Sequence, residues 1–215
     1  MIWQRLSPIW HQCIEGAWAA YRHGSLPHGA VVTDAEGKIV AQGRNRIRET
    51  TAEGRELAGN RLAHAELNAL FALDWRSVDI YNCTLYSLIE PCPMCIGAAA
   101  MAHIKAVRFA VRDGGAGGAT LLGSYPEKVP LFKNGALSVS GPEDSELETL
   151  LMAIQVESTL SQKHPKPYEW IALLARDVPE GTALGEKLFA TGQLQQRKEQ
   201  GKAASFVLDQ LSAML

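Results

Sequence analysis

The 215-residue sequence predicts an α/β sandwich in which helices cover a mixed sheet, and three observations predict it. Segments with helical and strand periodicity alternate along the first half as helix, strand, strand, helix, strand, helix, strand. GAVVTDAEGKIVAQG reads as a hairpin, two apolar runs around the turn Asp34-Ala35-Glu36-Gly37. Apolar helices separate the later strands, which calls for crossover connections in place of hairpins.

Each element follows from local pattern. PIWHQCIEGAWAAYR, residues 8–22, places Ile9, Cys13, Ala17 and Ala20 on one helical period, with Pro8 suited to the first turn. His23, Gly24 and Pro27 end it, and the hairpin follows. RNRIRETTAEGRELAGN, residues 44–60, has no strand pattern and is expected to be a loop with a short helical piece. RLAHAELNALFAL reads as a helix over 61–73, with Leu62, Ala65, Ala69 and Leu73 sharing its face. CTLYSLI is a strand of mostly β-formers. PMCIGAAAMAHI is a second buried helix, rich in Ala and Gly and opened by Pro93. KAVRFAVRD is a further strand, after which Gly114, Gly115, Gly117 and Gly118 predict a flexible loop.

Beyond residue 124 the pattern changes. YPEKVPLFKNG reads as loop, ALSVS as an edge strand, and PEDSELETLLMAIQVESTL as an amphipathic helix with acids in its first turn. HPKPY is a break, and further helices are expected near 181–191 and 201–214.

Composition sets outer bounds. A hydrophobic share of 47% and a charged share of 20% are ordinary for a globular protein, and no run of about eighteen apolar residues exists to span a membrane. MIWQRLSPIWHQCIEGAW lacks the continuous apolar core of a secretory signal, so the cytoplasm is the expected compartment. A formal net charge of −2 argues against a general nucleic-acid coat. Arg44, Arg46, Arg48, Arg55 and Arg61 crowd one segment, but Glu49, Glu53 and Glu56 nearly cancel them. A solvated loop is favoured there over a phosphate grip.

Four cysteines in a chain of this size do not make a disulfide framework. Cys13 and Cys83 lie in apolar patterns and read as buried spectators. Cys92 and Cys95 form a C-x-x-C pair, which alone fits a redox couple, half of a closed zinc site, or part of a working metal site. No second C-x-x-C or H-x₃-H is present to complete a closed site. His64-Ala65-Glu66 is the companion that gives the third reading content. One imidazole and two thiolates suit zinc, and three protein ligands leave a tetrahedral ion one open position. Glu66 is then placed to move a proton. The helix starts that carry these residues favour anionic thiolates.

His-x-Glu, twenty-four residues, then Pro-Cys-x-x-Cys resembles the zinc-dependent cytidine/deoxycytidylate deaminase superfamily, of which this pattern is the general mark. PHGAVVTDAEGKIVAQGRN is similar to that family's first hairpin, and FAVRDGGAGGATLLGS to its post-strand loop. Those features, with the helix at 142–160, most resemble the branch with tRNA adenosine deaminases and guanine/cytosine deaminases. The likeness implies a cytidine deaminase-like three-layer α/β/α sandwich. Residues 1–165 would form the deaminase domain, and 166–215, which have no counterpart, a C-terminal helical extension packed on it. It implies one zinc ion held by His64, Cys92 and Cys95, with Glu66 as proton shuttle. Asn45 and the backbone N–H of Ala65 would contact the base, and His28 would line the base pocket where the family usually has an aliphatic or aromatic residue.

The favoured substrate is a small aminated nucleobase, nucleoside or related heterocycle. Deamination of adenosine in tRNA is the rival within the enzyme class, and a catalytically silent, zinc-stabilised binding protein the rival outside it. Family members usually pair through their zinc-bearing helices, so a homodimer is expected.

Overall fold

The computed structural model describes residues 1–52, 54–124, 137–162 and 164–215. Five strands make one mixed sheet in the order β2-β1-β3-β4-β5. They are β1 (Gly29–Thr33), β2 (Ile39–Arg44), β3 (Thr84–Ile89), β4 (Ala106–Val111) and β5 (Ser138–Ser140). β1 runs antiparallel to both β2 and β3, while β3, β4 and β5 are mutually parallel. The hairpin and the crossovers read from the sequence are therefore both present.

Alternation along β1 divides the core into two layers. Val31 packs with α1 (Pro8–Arg22) and α4 (Ser145–Ser161) on one face. Ala30 and Val32 pack with α2 (Ala65–Ala72) and α3 (Pro93–Met101) on the other. All five β1 residues are buried, as a strand covered on both faces requires. This is the three-layer α/β/α sandwich.

Four more helices follow: α5 (Pro167–Leu174), α6 (Pro179–Thr191), α7 (Gln193–Glu199) and α8 (Ala204–Ser212). α6 and α8 bury Leu184, Leu188, Val207, Leu208 and Leu211 in the same apolar cluster as α1 and α4. Gly185 makes close approach feasible, since a Cβ there would lie 2.6 Å from Val156 Cβ. A polar link joins the layers as well. Tyr21 Oη donates to Glu157 Oε2 at 2.6 Å, and Gln195 Nε2 donates to Glu157 Oε1 at 3.0 Å.

Several expectations are corrected. The helix expected over 61–73 begins at Ala65, and Leu62 is 54% exposed. The Asn60 side chain accepts from Leu62 N at 2.8 Å, a local turn that competes with helix before His64. Residues 44–60 contain no helix among those described. Asn68 instead anchors that segment, accepting from Leu57 N at 2.7 Å and donating to Arg44 O at 2.9 Å. α4 is not amphipathic, for every residue from Leu147 to Thr159 is buried. The HPKPY break gives way to α5 at Pro167, and α7 has no counterpart among the expected helices. The loop expected at YPEKVPLFKNG lies outside the described residues.

The glycine-rich loop is packed, with no positive φ at any of its four glycines. A Cβ on Gly115 would lie 2.7 Å from the Trp170 ring, and one on Gly118 would lie 2.7 Å from Pro93 N. Close contact, and not freedom of φ, is what these glycines provide. No helix among the described residues is long and apolar enough to cross a membrane.

Candidate zinc centre and its cavity

Two helix starts converge beyond the C-terminal end of β3. Cys92 is the N-cap of α3, Pro93 occupies its first position, and Cys95 falls in its first turn. His64 is the N-cap of α2, and Glu66 lies in that helix's first turn. Both N-caps are extended, with ψ of 167° and 154°, and neither side chain caps its own helix. Their donor atoms are thus free to face one another.

They do so at metal-binding distances. His64 Nδ1 lies 3.7 Å from Cys92 Sγ and 3.6 Å from Cys95 Sγ, and the two sulfurs are 3.6 Å apart. With Zn–S near 2.3 Å and Zn–N near 2.0–2.1 Å, the edges of a tetrahedral site come to about 3.5–3.8 Å. The charges agree with that fit. Proximity to Cys95 and His64 pulls the Cys92 thiol down to about 4, against the effect of burial. Cys95 is pushed up by its neighbour Cys92, by burial and by Glu66. One thiolate thus opposes the next, and a dication among the donors reverses the opposition. The donor set fits zinc.

Glu66 is 2% exposed, with Oε2 3.5 Å from Cys95 Sγ. The Ser87 hydroxyl lies 2.9 Å from Glu66 Oε1 and 2.7 Å from the Ile89 carbonyl. Ser87, a buried polar residue within an apolar strand, is a site contact that sequence reasoning missed.

A cavity of about 200 Å³ opens on this cluster, and His64, Glu66, Cys92 and His28 all border it. So do Asp113, from the end of β4, and Gln155 and Thr159, from α4. His164 and Trp170 border it too. The glycine-rich loop wraps around two of the cavity's carboxylates. Glu90 accepts from Asp113 N at 3.2 Å and Ala119 N at 3.0 Å, and Asp113 Oδ1 accepts from Gly115 N and Ala116 N at 3.0 Å each. Burial raises the Asp113 carboxyl above its ordinary range.

The expected base contacts are placed unequally. His28 borders the cavity with Nε2 2.8 Å from Gln155 Oε1, and burial lowers its pKa. Asn45 is fully buried, and its backbone N–H donates to His28 O at 3.0 Å. Its side-chain Nδ2 is sealed without a hydrogen-bond partner, and Asn45 is not among the residues bordering the cavity. Ala65 is fully buried at the first position of α2, where no intrahelical carbonyl reaches its N–H.

The crowded arginines are largely spoken for. Arg44 pairs with Glu49, through one bond of 2.7 Å and a second to the other oxygen, and Arg46 pairs with Glu56 at 2.7 Å. Arg48 is exposed, borders the cavity and donates to Gln162 O at 3.1 Å.

Helix starts that gather one imidazole and two thiolates, with a buried carboxylate alongside, define a zinc-binding α/β protein. Residues 4–111 match the family described as "Cytidine and deoxycytidylate deaminase zinc-binding region", and the chain belongs to that family. It is 35% identical over 149 residues to a tRNA-specific adenosine deaminase of Bacillus subtilis, covering 66% of this chain and 83% of that protein. It is 39% identical over 103 residues to a tRNA(Ile)-lysidine synthase of Deinococcus radiodurans, where the match takes in 47% of this chain and spans only 16% of that protein's length. The fold is shared with a solved guanine deaminase from Nitrosomonas europaea, at a TM-score of 0.51 and 21% identity over 71% of this chain and 84% of that one.

Proposed function

We propose that the chain is a zinc-dependent hydrolytic deaminase that releases ammonia from a small aminated heterocycle, a nucleobase, nucleoside or related ring. The observation that carries the reading is the position of Glu66, buried beside Cys95 on a cavity of about 200 Å³. A purely structural zinc site has no use for such a carboxylate.

When bound by His64, Cys92 and Cys95, zinc supplies activation of water at neutral pH. Glu66 would take one proton from the attacking water and pass it to a ring nitrogen as the water oxygen bonds to the amidine carbon, then take that oxygen's remaining proton and pass it to the leaving amine. The bond from the amidine carbon to the exocyclic nitrogen breaks, a carbonyl forms, and ammonia departs. His28 and the Ala65 N–H hold the ring, and Asn45, sealed away from the cavity, supports His28 from behind through its backbone N–H to the His28 carbonyl. The two helix starts hold donors and carboxylate on rigid scaffold.

The test is an ammonia-release screen of the zinc-loaded protein across cytosine, guanine, adenine, their nucleosides and related heterocycles. Release from one of them, abolished by Glu66→Ala, is expected. Silence across all of them would remove the proposal and leave the tRNA reading and the zinc-stabilised binding protein. Deamination of adenosine in tRNA is a second reading, favoured by the 35% identity to the Bacillus subtilis enzyme. Against it, Arg44 and Arg46 are already paired with Glu49 and Glu56. Salt-dependent tRNA binding that weakens on neutralising Arg48, Arg55 and Arg61 would support it.

A homodimer belongs to the same proposal. Leu62, Phe71, Trp75 and Met101, on or beside the zinc-bearing helices, are 48–66% exposed. A solution mass of one chain would count against pairing there.

A further inference from the structure

Gln155 and His28 form a polar pair on the cavity wall, and the proposed chemistry gives Gln155 no part. Gln155 is 7% exposed and, like His28, borders the cavity. A neutral His28 ring carries one proton, and the amide oxygen 2.8 Å away can only accept, so the proton sits on Nε2. Burial, which lowers the His28 pKa, agrees with a neutral ring. Gln155 Oε1 is committed to His28, and Nε2 is left with two N–H donors.

Those donors have no protein partner among the described residues. Unlike Asn45, Gln155 borders the space on both sides of it. On one side lies a crevice walled mainly by apolar side chains, among them Ile14, Trp18, Leu88 and Leu151. On the other lies the zinc cavity. There Glu90 accepts from backbone N–H groups, and Glu66 is engaged by Ser87 and Cys95. A donor so enclosed carries a desolvation penalty until a ligand supplies an acceptor.

We propose that Gln155, held by His28, is a specificity-determining residue that donates a hydrogen bond to a ring carbonyl of the substrate. The cavity then favours oxo-substituted aminated heterocycles, oxopurines or oxopyrimidines, over adenine. A carbonyl oxygen projects from its ring and accepts over a broad arc, which a side chain bordering the ring can reach. Adenine has no carbonyl to offer, and a site built around a donor rejects a ring that leaves it unmet. The inference rests on the deaminase reading above and narrows its substrate class.

Matched rings test it: guanine against 2-aminopurine, and cytosine against 4-aminopyrimidine, each pair differing in the carbonyl. Binding to the zinc-loaded full chain is measured by calorimetry in a Glu66→Ala background, with ammonia release by the parent as a separate readout. One oxo member is expected to bind at least about ten-fold more tightly than its partner ring. Gln155→Leu should bring that ratio to within about three-fold, and Gln155→Glu, of the same shape but offering acceptors, should do the same. Zinc content and circular dichroism show that each variant is folded, and Gln155→Glu carries the comparison if Gln155→Leu is not. An unchanged ratio in the folded variants, equal binding of both rings by the parent, or no binding of any ring overturns the proposal. A carbonyl preference in binding with no ammonia from any ring would uphold Gln155 and remove the deaminase reading. Ammonia release without a carbonyl preference would do the reverse.

Discussion

α2 and α4 are both buried helices, yet they are buried for different reasons. On α2 the candidate site residues His64, Ala65 and Glu66 gather at the N-terminal end, and Ala65 and Ala69 pack inward beneath them. On α4 the polar residues Glu148, Thr149, Gln155, Glu157, Ser158 and Thr159 are buried along its whole length. The sheet covers one side of α4, and α6 and α8 cover another. On α2, Glu66 is buried beside the zinc donors and Asn68 against the segment it anchors. A polar residue on α4 is buried because a second layer of helices arrives later in the chain.

The largest effect should come from the α2–α3 side. Cys95→Ala is expected to lower zinc content, by metal analysis, from about one ion per chain to near zero and to end turnover, because two donors do not hold a tetrahedral ion. Glu66→Ala should separate metal from chemistry. Zinc and melting temperature are expected to persist while turnover drops about 10²–10⁴-fold, and a variant that turns over like the parent would end the proposed role of the carboxylate.

On the α4 side the expected currency is stability. Leu188 is fully buried between α6 and the core, so Leu188→Ala should lower unfolding free energy by about 2–5 kcal/mol in a denaturant titration. Zinc content of the folded variant should stay near that of the parent; loss of the ion would show that the two regions are not separable. Gly115→Ala crosses between them, because its Cβ would meet the Trp170 ring at 2.7 Å. We expect a cost of about 1–3 kcal/mol from overpacking, and a higher KM, as Trp170 moves on the cavity wall.

The two regions also differed in how legible they were. The hairpin, the crossovers and the residues that could hold zinc were readable, since each depends on short-range pattern or on spacing with few chemical meanings. The structure brings His64, Cys92 and Cys95 within 4.8 Å of one another. Ser87, Gln155 and Trp170 were not readable as cavity residues. Ser87 is one hydroxyl in a strand of β-formers, and Gln155 looks like the wet face of an amphipathic helix until α6 and α8 are in place. Trp170 belongs to a helix that starts where HPKPY reads as a break, because Pro at the first helical position punctuates and initiates alike. The four loop glycines were noticed, but their purpose was not. Flexibility and close packing leave the same letter in a sequence.

α4 borders the cavity at the zinc centre on one side and packs against the later helices on the other. Gln155 and Thr159 border the cavity, while Ala153 and Val156 lie within contact of where a Cβ on Gly185 would stand. A change in α6 that adds or removes a methyl group would tilt or slide that helix, and the cavity wall would move with it. The preference for one ring over another can therefore drift through substitutions in a region that holds no metal and touches no ligand. Relatives with identical zinc residues need not share a substrate.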